Sequence, residues 1–525
     1  MFATGAHSLA ELLVTIPGVT AFRSGWIASP AAIAYLGDPA RVRVFYDGLE
    51  FDPLDPRTGE ILDLVEVPLW TVEEVRVERG ADELRVHLRS WRVRTTTPVT
   101  RTDIYTGDED TNLYRGFYGR RFRNGLALQV GGEQYSTQSR RTTDAGDALS
   151  LVMRFGWSSG PWSLDGFGVR TSRNRSTQDR TDPVSGRPIP PLDARRTDAY
   201  VRAAYGDPEE GAWAQAIAAS QSFEEHTPGT GTTPTVPGGP IPDPDSTRSM
   251  AQYVFTGGLT RGPFRLSVTD RLEVREGERI NGQAARLAFE RGWSAISLFG
   301  ERAPADSTTR AGVVGHLAVT DFLWVGGAAS QRWDDEERFG ARDVFAYRGE
   351  LGFRLGALAL SGGVLARDSA VLRPLRVIDT AFAARPDSTA FGQFARIRGQ
   401  LWRDLYIDAT GTHWNAEGPY RPEWQSRVHL YLSTRWLRQF PSGHFGFTAG
   451  VTHEYRSDVC FARSDGGCDI AGQHRVFSTR VELRIVNAVL TFQLDNPQLA
   501  LFERVPGFQM ARGVSYYGVR WEFYN

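Results

Sequence analysis

From about Val99 onward the chain alternates. In 427–436, Val428, Leu430, Leu432 and Trp436 fall on one face, and Arg427, His429, Tyr431, Ser433 and Arg435 on the other. In 475–485, Phe477, Val481, Leu483 and Ile485 oppose Arg480, Glu482 and Arg484. In 345–355, Phe345, Tyr347, Leu351, Phe353 and Leu355 oppose Arg348, Glu350 and Arg354. A period of two over segments of ~10 to 14 residues predicts strands, not helices. The last strand follows the same rule: after Gly518, Val519, Trp521 and Phe523 share a face opposite Arg520 and Glu522, and the chain stops at Asn525.

The connections predict a closed meander. Short turns fall at Arg123-Asn124-Gly125, 158–161, Arg261-Gly262-Pro263, Arg291-Gly292, Thr320-Asp321, Arg403-Asp404 and Val486-Asn487. Long polar stretches lie between them, at 174–194, 226–247, 334–342, 368–390 and 457–472. Tight turns at one end and long loops at the other are the pattern of a membrane barrel, here of roughly 22 strands. Phe122, Trp157, Trp162, Phe264, Trp293, Phe322, Trp324, Trp402, Tyr406 and Trp436 recur beside the tight turns, where an interfacial girdle belongs.

Energetics favours lipid outside and water inside. An ion on a mid-membrane lipid face costs about 2–4 kcal/mol, and the three strands above keep Arg and Glu off the apolar face. A soluble sandwich would bury those ions in a dry core, and no repeat of propeller length is present. The expected fold class is therefore mainly β: an antiparallel transmembrane barrel over 96–525, preceded by a small α+β module over 1–95. No apolar run reaches the ~20 residues of a membrane helix.

Composition narrows the function. The net charge of −2 gives no support to a nucleic-acid partner. All 60 basic residues are arginine, which removes Schiff-base lysines and Walker-type phosphate loops. Cys460 and Cys468 bracket a Gly-containing loop and read as a disulfide in an oxidising compartment. Met1 to His7 lack a basic leader region and Leu12-Leu13-Val14 is short for a leader core, so a mature or truncated form, or a misassigned start, is expected.

The first 95 residues read differently. Ser8-Leu9-Ala10-Glu11-Leu12-Leu13 predicts a short helix with Ser8 as N-cap and Glu11 completing the box, ended by Pro17-Gly18. Residues 41–46 predict a strand leading into an Asp47-Gly48 turn. Asp63 to Pro68 leads to a helix predicted near Thr71, with Glu73 and Glu74 in its first turn, then a strand over 75–80.

This module resembles the plug domain of the TonB-dependent outer-membrane receptors. The matching residues are the 9–19 helix with Pro17 and Gly18, the strand into Asp47-Gly48, the Asp63–Pro68 segment, and 72–80 with Glu78, Arg79 and Gly80. Asp495-Asn496, Leu501-Phe502 and Val505-Pro506-Gly507 before the closing strand are similar to the family's last extracellular loop. The chain departs from the family at Leu36-Gly37, at Ala81-Asp82-Glu83 and in showing no TonB box. The resemblance implies a plug inside a 22-strand barrel in a bacterial outer membrane. It implies partners too: lipid, the barrel-assembly machinery, the TonB energising complex and an unknown small-molecule or glycan ligand. The implied activity is import of a large scarce nutrient such as a metal chelate, cobalamin or glycan. The alternative is a plugged barrel without coupling that serves as surface receptor, scaffold or passive pore.

No nucleophile elbow, His-Glu-x-x-His or nucleotide loop is legible, so no enzyme, cofactor or metal site is expected. Asp334-Asp335-Glu336-Glu337 and Asp108-Glu109-Asp110 read as solvated acidic loops, and His226, His413, His429, His444 and His453 as structural. The inward Arg348, Arg354, Arg396, Arg398, Arg427, Arg435, Arg480 and Arg484 could draw an anionic solute; pairing with Glu350, Glu482, Glu73 or Glu74 is the favoured expectation.

Overall fold

The computed structural model of the chain describes residue 6 and residues 8–139, 144–181, 188–226, 247–303, 308–334 and 343–524. Twenty-two antiparallel strands, from Val99–Gly107 to Val514–Tyr524, close into one barrel. Closure pairs the last strand with the first, from Tyr516 opposite Gly107 to Tyr524 opposite Val99. Gly518 permits that seam: a Cβ there would meet Ile104 O at 2.3 Å and the Tyr105 ring at 2.4 Å. Trp521 and Phe523 stack at 4.8 Å beside it.

The exterior is apolar because the alternation is real in space. Along Ala145–Ser159, Leu149, Leu151, Met153, Phe155 and Trp157 are exposed while Ser150 and Arg154 are buried inside. Phe345, Tyr347, Leu351, Phe353 and Leu355 are likewise exposed. Arg170 and Asp270 also sit at exposed positions, so the outward face is not uniformly apolar. Met153, 63% exposed, lies opposite Val130 and Gly168. Met153→Arg should cost about 2–4 kcal/mol of folding into lipid and little in a polar detergent, read by urea titration in liposomes against micelles.

The plug occupies the lumen. A helix, α1 (Leu9–Leu13), precedes a hairpin of β1 (Val19–Arg23) and β2 (Ala31–Tyr35). A second sheet is ordered β4 (Leu49–Glu50), β3 (Val42–Tyr46), β6 (Leu84–Ser90), β5 (Val72–Arg79), with β3 and β6 parallel. Its apolar core, including Leu13, Ile33, Val44, Tyr46 and Val86, continues into the barrel wall at Phe167, Tyr200, Ile217, Leu365 and Phe394. Strand β6 ends at Ser90 and the barrel begins at Val99.

Several local expectations are corrected. The helix predicted near Thr71 is a single turn, Leu69–Thr71, and Glu73 and Glu74 lie in β5, because β5 must pair along β6. Ser8 makes no side-chain cap; Glu11 pairs with Arg23 instead. Two connections at the long-loop end are tight, after Gly107 and after Arg275, and the 334–342 loop lies mostly outside the described residues. One connection at the tight end is long, 435–444, and Arg435 sits in it rather than in the strand Trp424–Thr434. Trp293 and Trp324 line a lumen cavity, and Tyr406 stacks on the lumen-lining Tyr431 at 5.2 Å, so none of the three belongs to the outer girdle.

Candidate functional site

The plug is cemented to one side of the wall by buried ions. Plug acids meet barrel arginines: Asp63 with Arg173 at 3.0 Å, Glu66 with Arg196 at 2.9 Å, Asp52 with Arg275 at 3.0 Å and Glu83 with Arg310 at 2.5 Å. Glu50 with Arg271 and Glu78 with Arg286 continue the series. The plug's Arg43 and Arg85 in turn reach the barrel's Glu301, which Arg310 also holds at 2.9 Å. Such pairs fix register more than they add stability, since desolvation offsets most of their attraction.

The family-like positions sit in this seam. Asp47 (φ +50°) and Gly48 (φ +91°) make the turn between β3 and β4. The Asp47 carboxylate accepts from Ser90 N at 3.0 Å and Tyr200 OH at 2.8 Å. Burial opposes its ionisation, yet Arg154 and Arg92 hold it below the usual carboxylate range. Asp63 accepts from Ala31 N and Val65 N, both at 3.0 Å, and so ties β2 to the segment that ends at Pro68. Gly80 O accepts from Tyr35 OH at 2.9 Å, and Arg79 lies 3.3 Å from Glu350. Pro17-Gly18 turns the chain into β1, and Gly18 O accepts from Leu36 N at 2.9 Å. Leu36 itself is buried and its carbonyl accepts from Arg367 at 3.4 Å.

Two cavities flank the plug. One, of about 660 Å³, separates the leading segment from the opposite wall. Glu11, Thr15 and Arg23 line it from the plug; Asp408, Arg427, His429, Tyr431, Arg480, Glu482 and Asp495 line it from the barrel. The hydrogen bonds across this side go mostly to plug carbonyls, with Gln425 Nε2 donating to Val19 O at 2.9 Å, Thr410 Oγ1 to Thr15 O at 3.3 Å and Arg456 to Ala21 O at 3.2 Å. The other cavity, about 1360 Å³, lies at the tight-turn end between β5, β6 and the wall, with Arg76, Glu78, Arg79, His87, Arg348 and Arg354 on its sides.

The sequence-predicted arginines divide. Arg348 meets Glu350 at 3.2 Å, Arg480 meets Glu482, and Arg427 meets Glu454 at 3.4 Å. Arg396 and Arg398 approach Asp408 at 3.8 and 3.5 Å. Arg354 lies 3.7 Å from the Trp293 ring centroid; Arg484 is exposed near the strand's end. Glu73 and Glu74 pair within the plug, with Arg89, and not with the barrel as expected. Asp108 accepts from Ser515 N and Oγ, both at 2.7 Å, so this acid staples the closing strand. Asp334 meets Arg332 at 2.8 Å.

His87 gives the second cavity a pH dependence. Partial burial, the side chain being 41% exposed, pushes its imidazole down to about 4, against the pull of Glu78 at 4.0 Å; Arg85, Arg76 and Arg286 press the same way as burial. Its ring stacks on Phe45 at 5.1 Å. A folded value below the ordinary 6.5 means that the neutral form belongs to the docked sheet. This contribution is present above pH 6.5 and is lost as pH falls toward 4. Protection factors of the β5–β6 amides, which remove the pH dependence of intrinsic exchange, should therefore fall over that window, and His87→Gln should flatten the response.

Five of the connections at the long-loop end meet over the plug as a cap. Phe22, Ala32, Ala34 and Ile61 of the plug form a buried cluster with residues from five loops, among them Ile189, Ile378, Tyr420, Phe461 and Phe508. Phe461 is its hub, with ring centroids 5.3 Å from Phe22, 5.1 Å from Phe382 and 5.4 Å from Tyr420. Arg180 with Asp379 at 2.7 Å, and Asp387 with Arg367 at 2.5 Å and Arg421 at 2.8 Å, clamp the cap. The Cys460–Cys468 disulfide closes the hairpin that carries Phe461. None of these cap residues except the cysteines was marked by the sequence.

A 22-strand barrel stoppered by its own leading module is the fold of the TonB-dependent outer-membrane receptors. The FrpB iron transporter of Neisseria meningitidis superposes with a TM-score of 0.73 at 10% identity, covering 99% of this chain and 97% of that one. The siderophore receptor PirA of Acinetobacter baumannii gives 0.72 at 10%, covering 99% and 96%. The copper transporter OprC gives 0.71 at 12%, covering 99% and 96%. At such identities the likeness is one of fold. No family model matches the sequence, and no curated protein does.

Proposed function

We propose that this protein is an outer-membrane receptor that imports a scarce solute, energised through TonB, with a metal chelate the first class to test and cobalamin or a glycan after it. The observation that carries the reading is the asymmetry of the plug. Buried ion pairs hold its sheet to one wall, while a cavity of about 660 Å³, lined by charged and apolar groups alike, runs beside its leading segment. Moving that segment would break apolar packing at Leu9, Leu13 and Val19 but few ion pairs to the barrel, and would widen an existing gap. The solved proteins of this fold named above are described as siderophore, iron and copper receptors or transporters, which supports the metal-chelate class.

The test is uptake in a Gram-negative host stripped of its own iron-chelate receptors. Radio-iron on a panel of catecholate and hydroxamate chelates, and labelled cobalamin, should enter only where this chain and TonB are both present. A second reading, a plugged barrel that acts as surface receptor or scaffold without coupling, draws on the cap over the plug. Surface binding that persists without TonB, with no uptake, would favour it and remove the first.

A further inference from the structure

The nine other connections at the tight-turn end hold two to four residues; the one between Trp424–Thr434 and Phe445–Arg456 holds ten, 435–444. Every residue from Arg435 to Ser442 is exposed, among them Trp436 at 45%, Leu437 at 57% and Phe440 at 42%. The rings are ordered, not loose. Trp436 stacks on Phe445 and Phe447, each at 5.5 Å, and Phe440 stacks on Phe445 at 4.4 Å. Trp436 holds φ +43°, a region that non-glycine residues seldom enter, so the backbone is strained to place this ring. Amides of Gln439 and Phe440 both donate to Trp436 O at 2.9 Å and close a single turn.

Phe445 and Phe447 share the face of their strand with Val451, which is 46% exposed on the lipid side. The stack therefore continues the apolar exterior past the end of the barrel. Arg435 and Arg438 flank Trp436 and Leu437, and both are exposed. Aromatic rings at the level of the headgroups with guanidinium groups beside them match a phosphodiester above acyl chains.

We propose that the 435–444 turn is a binding site for an anionic phospholipid of the inner leaflet of the membrane the barrel spans, with Arg435 and Arg438 on the phosphate and Trp436, Leu437 and Phe440 among the upper acyl carbons. This rests on the barrel crossing a membrane and not on what it imports, so failure of the uptake test leaves it standing. A neutral headgroup offers no net charge to the two arginines, and a soluble phosphate offers nothing to the rings.

Native mass spectrometry of the intact barrel from mixed micelles tests it, with phosphatidylglycerol and phosphatidylcholine supplied equally. The wild type should retain phosphatidylglycerol preferentially, by about fivefold per arginine. Arg435→Gln with Arg438→Gln should abolish the preference and leave the barrel's heat-modifiable mobility unchanged. Trp436→Ala with Phe440→Ala should lower retention of both lipids. Equal retention by the wild type, or an unchanged preference in the arginine variant, overturns the proposal. A photo-crosslinking residue at Gln439 in whole envelopes supplies the second arm: lipid adducts support the site, and a protein adduct in their place refutes it.

Discussion

Arg310→Ala should release the plug from its fixed wall. Arg310 is 5% exposed and holds Glu83 at 2.5 Å, Glu301 at 2.9 Å and Asp82 at 3.7 Å. Its removal leaves three carboxylates in a dry seam with Arg43 and Arg85 as their remaining counterions. Stranding a buried charge in this way costs about 3–5 kcal/mol. The barrel ladder does not depend on it, so the loss should appear as fast amide exchange in β3 and β6 and as ion leak in planar bilayers. Heat-modifiable mobility of the barrel should hardly change. Adding Glu83→Gln to Arg310→Met should restore part of the loss, because one uncompensated carboxylate is gone while Glu301 still pairs with Arg43 and Arg85. If the single variant leaves exchange and conductance at wild-type values, the seam does not hold the plug.

Much of the fold was readable because a barrel writes itself locally. Each strand needs only its own alternation, and each hairpin only its own turn, so 345–355 or Arg291-Gly292 could be read in isolation. The seam could not. Glu83 and Arg310 stand 227 residues apart, and nothing within either segment points to the other. The usable hint was that inward positions of Arg154, Arg196, Arg271, Arg286 and Arg310 repeat one cation, strand after strand, facing a module rich in acids. Glu73 and Glu74 were misassigned because a run of Val-Glu-Glu-Val satisfies a helix start as well as a strand. Only pairing along β6 separates the two. The cap was hidden for a third reason: its apolar residues come singly from irregular loops, where no period exists to reveal a buried face. The quartet Val459-Cys460-Phe461-Ala462 inside a polar loop, and Val505 before Pro506-Gly507, were the visible traces.

Phe461→Ala should open that cap. Phe461 is fully buried, and its ring is shared by the plug's Phe22 and by Phe382 and Tyr420 from two other loops. Truncating such a ring costs about 3–5 kcal/mol, the larger values applying where neighbours cannot collapse into the space. Here the backbones of the neighbouring loops are pinned to the residues on either side of Phe461, so they cannot move into the vacated space: Tyr420 N donates to Cys460 O at 3.0 Å, and Ala383 N donates to Ala462 O at 2.9 Å. The truncation should therefore leave a cavity that loosens the cap rather than one the loops repack to fill. Protease added to whole cells should then cut within 368–389 and 457–473 faster than in the wild type, while the barrel strands stay intact. Cys460→Ser with Cys468→Ser should loosen the same hairpin less, since it leaves the aromatic hub in place. The variant also separates the two functional readings. If the cap gates entry to an import route, Phe461→Ala should speed TonB-dependent uptake or raise sensitivity to bulky antibiotics. If the loops instead form a finished binding surface, the variant should lose surface binding and gain no uptake. Proteolysis patterns identical to wild type would mean that the five loops do not depend on one another through this ring.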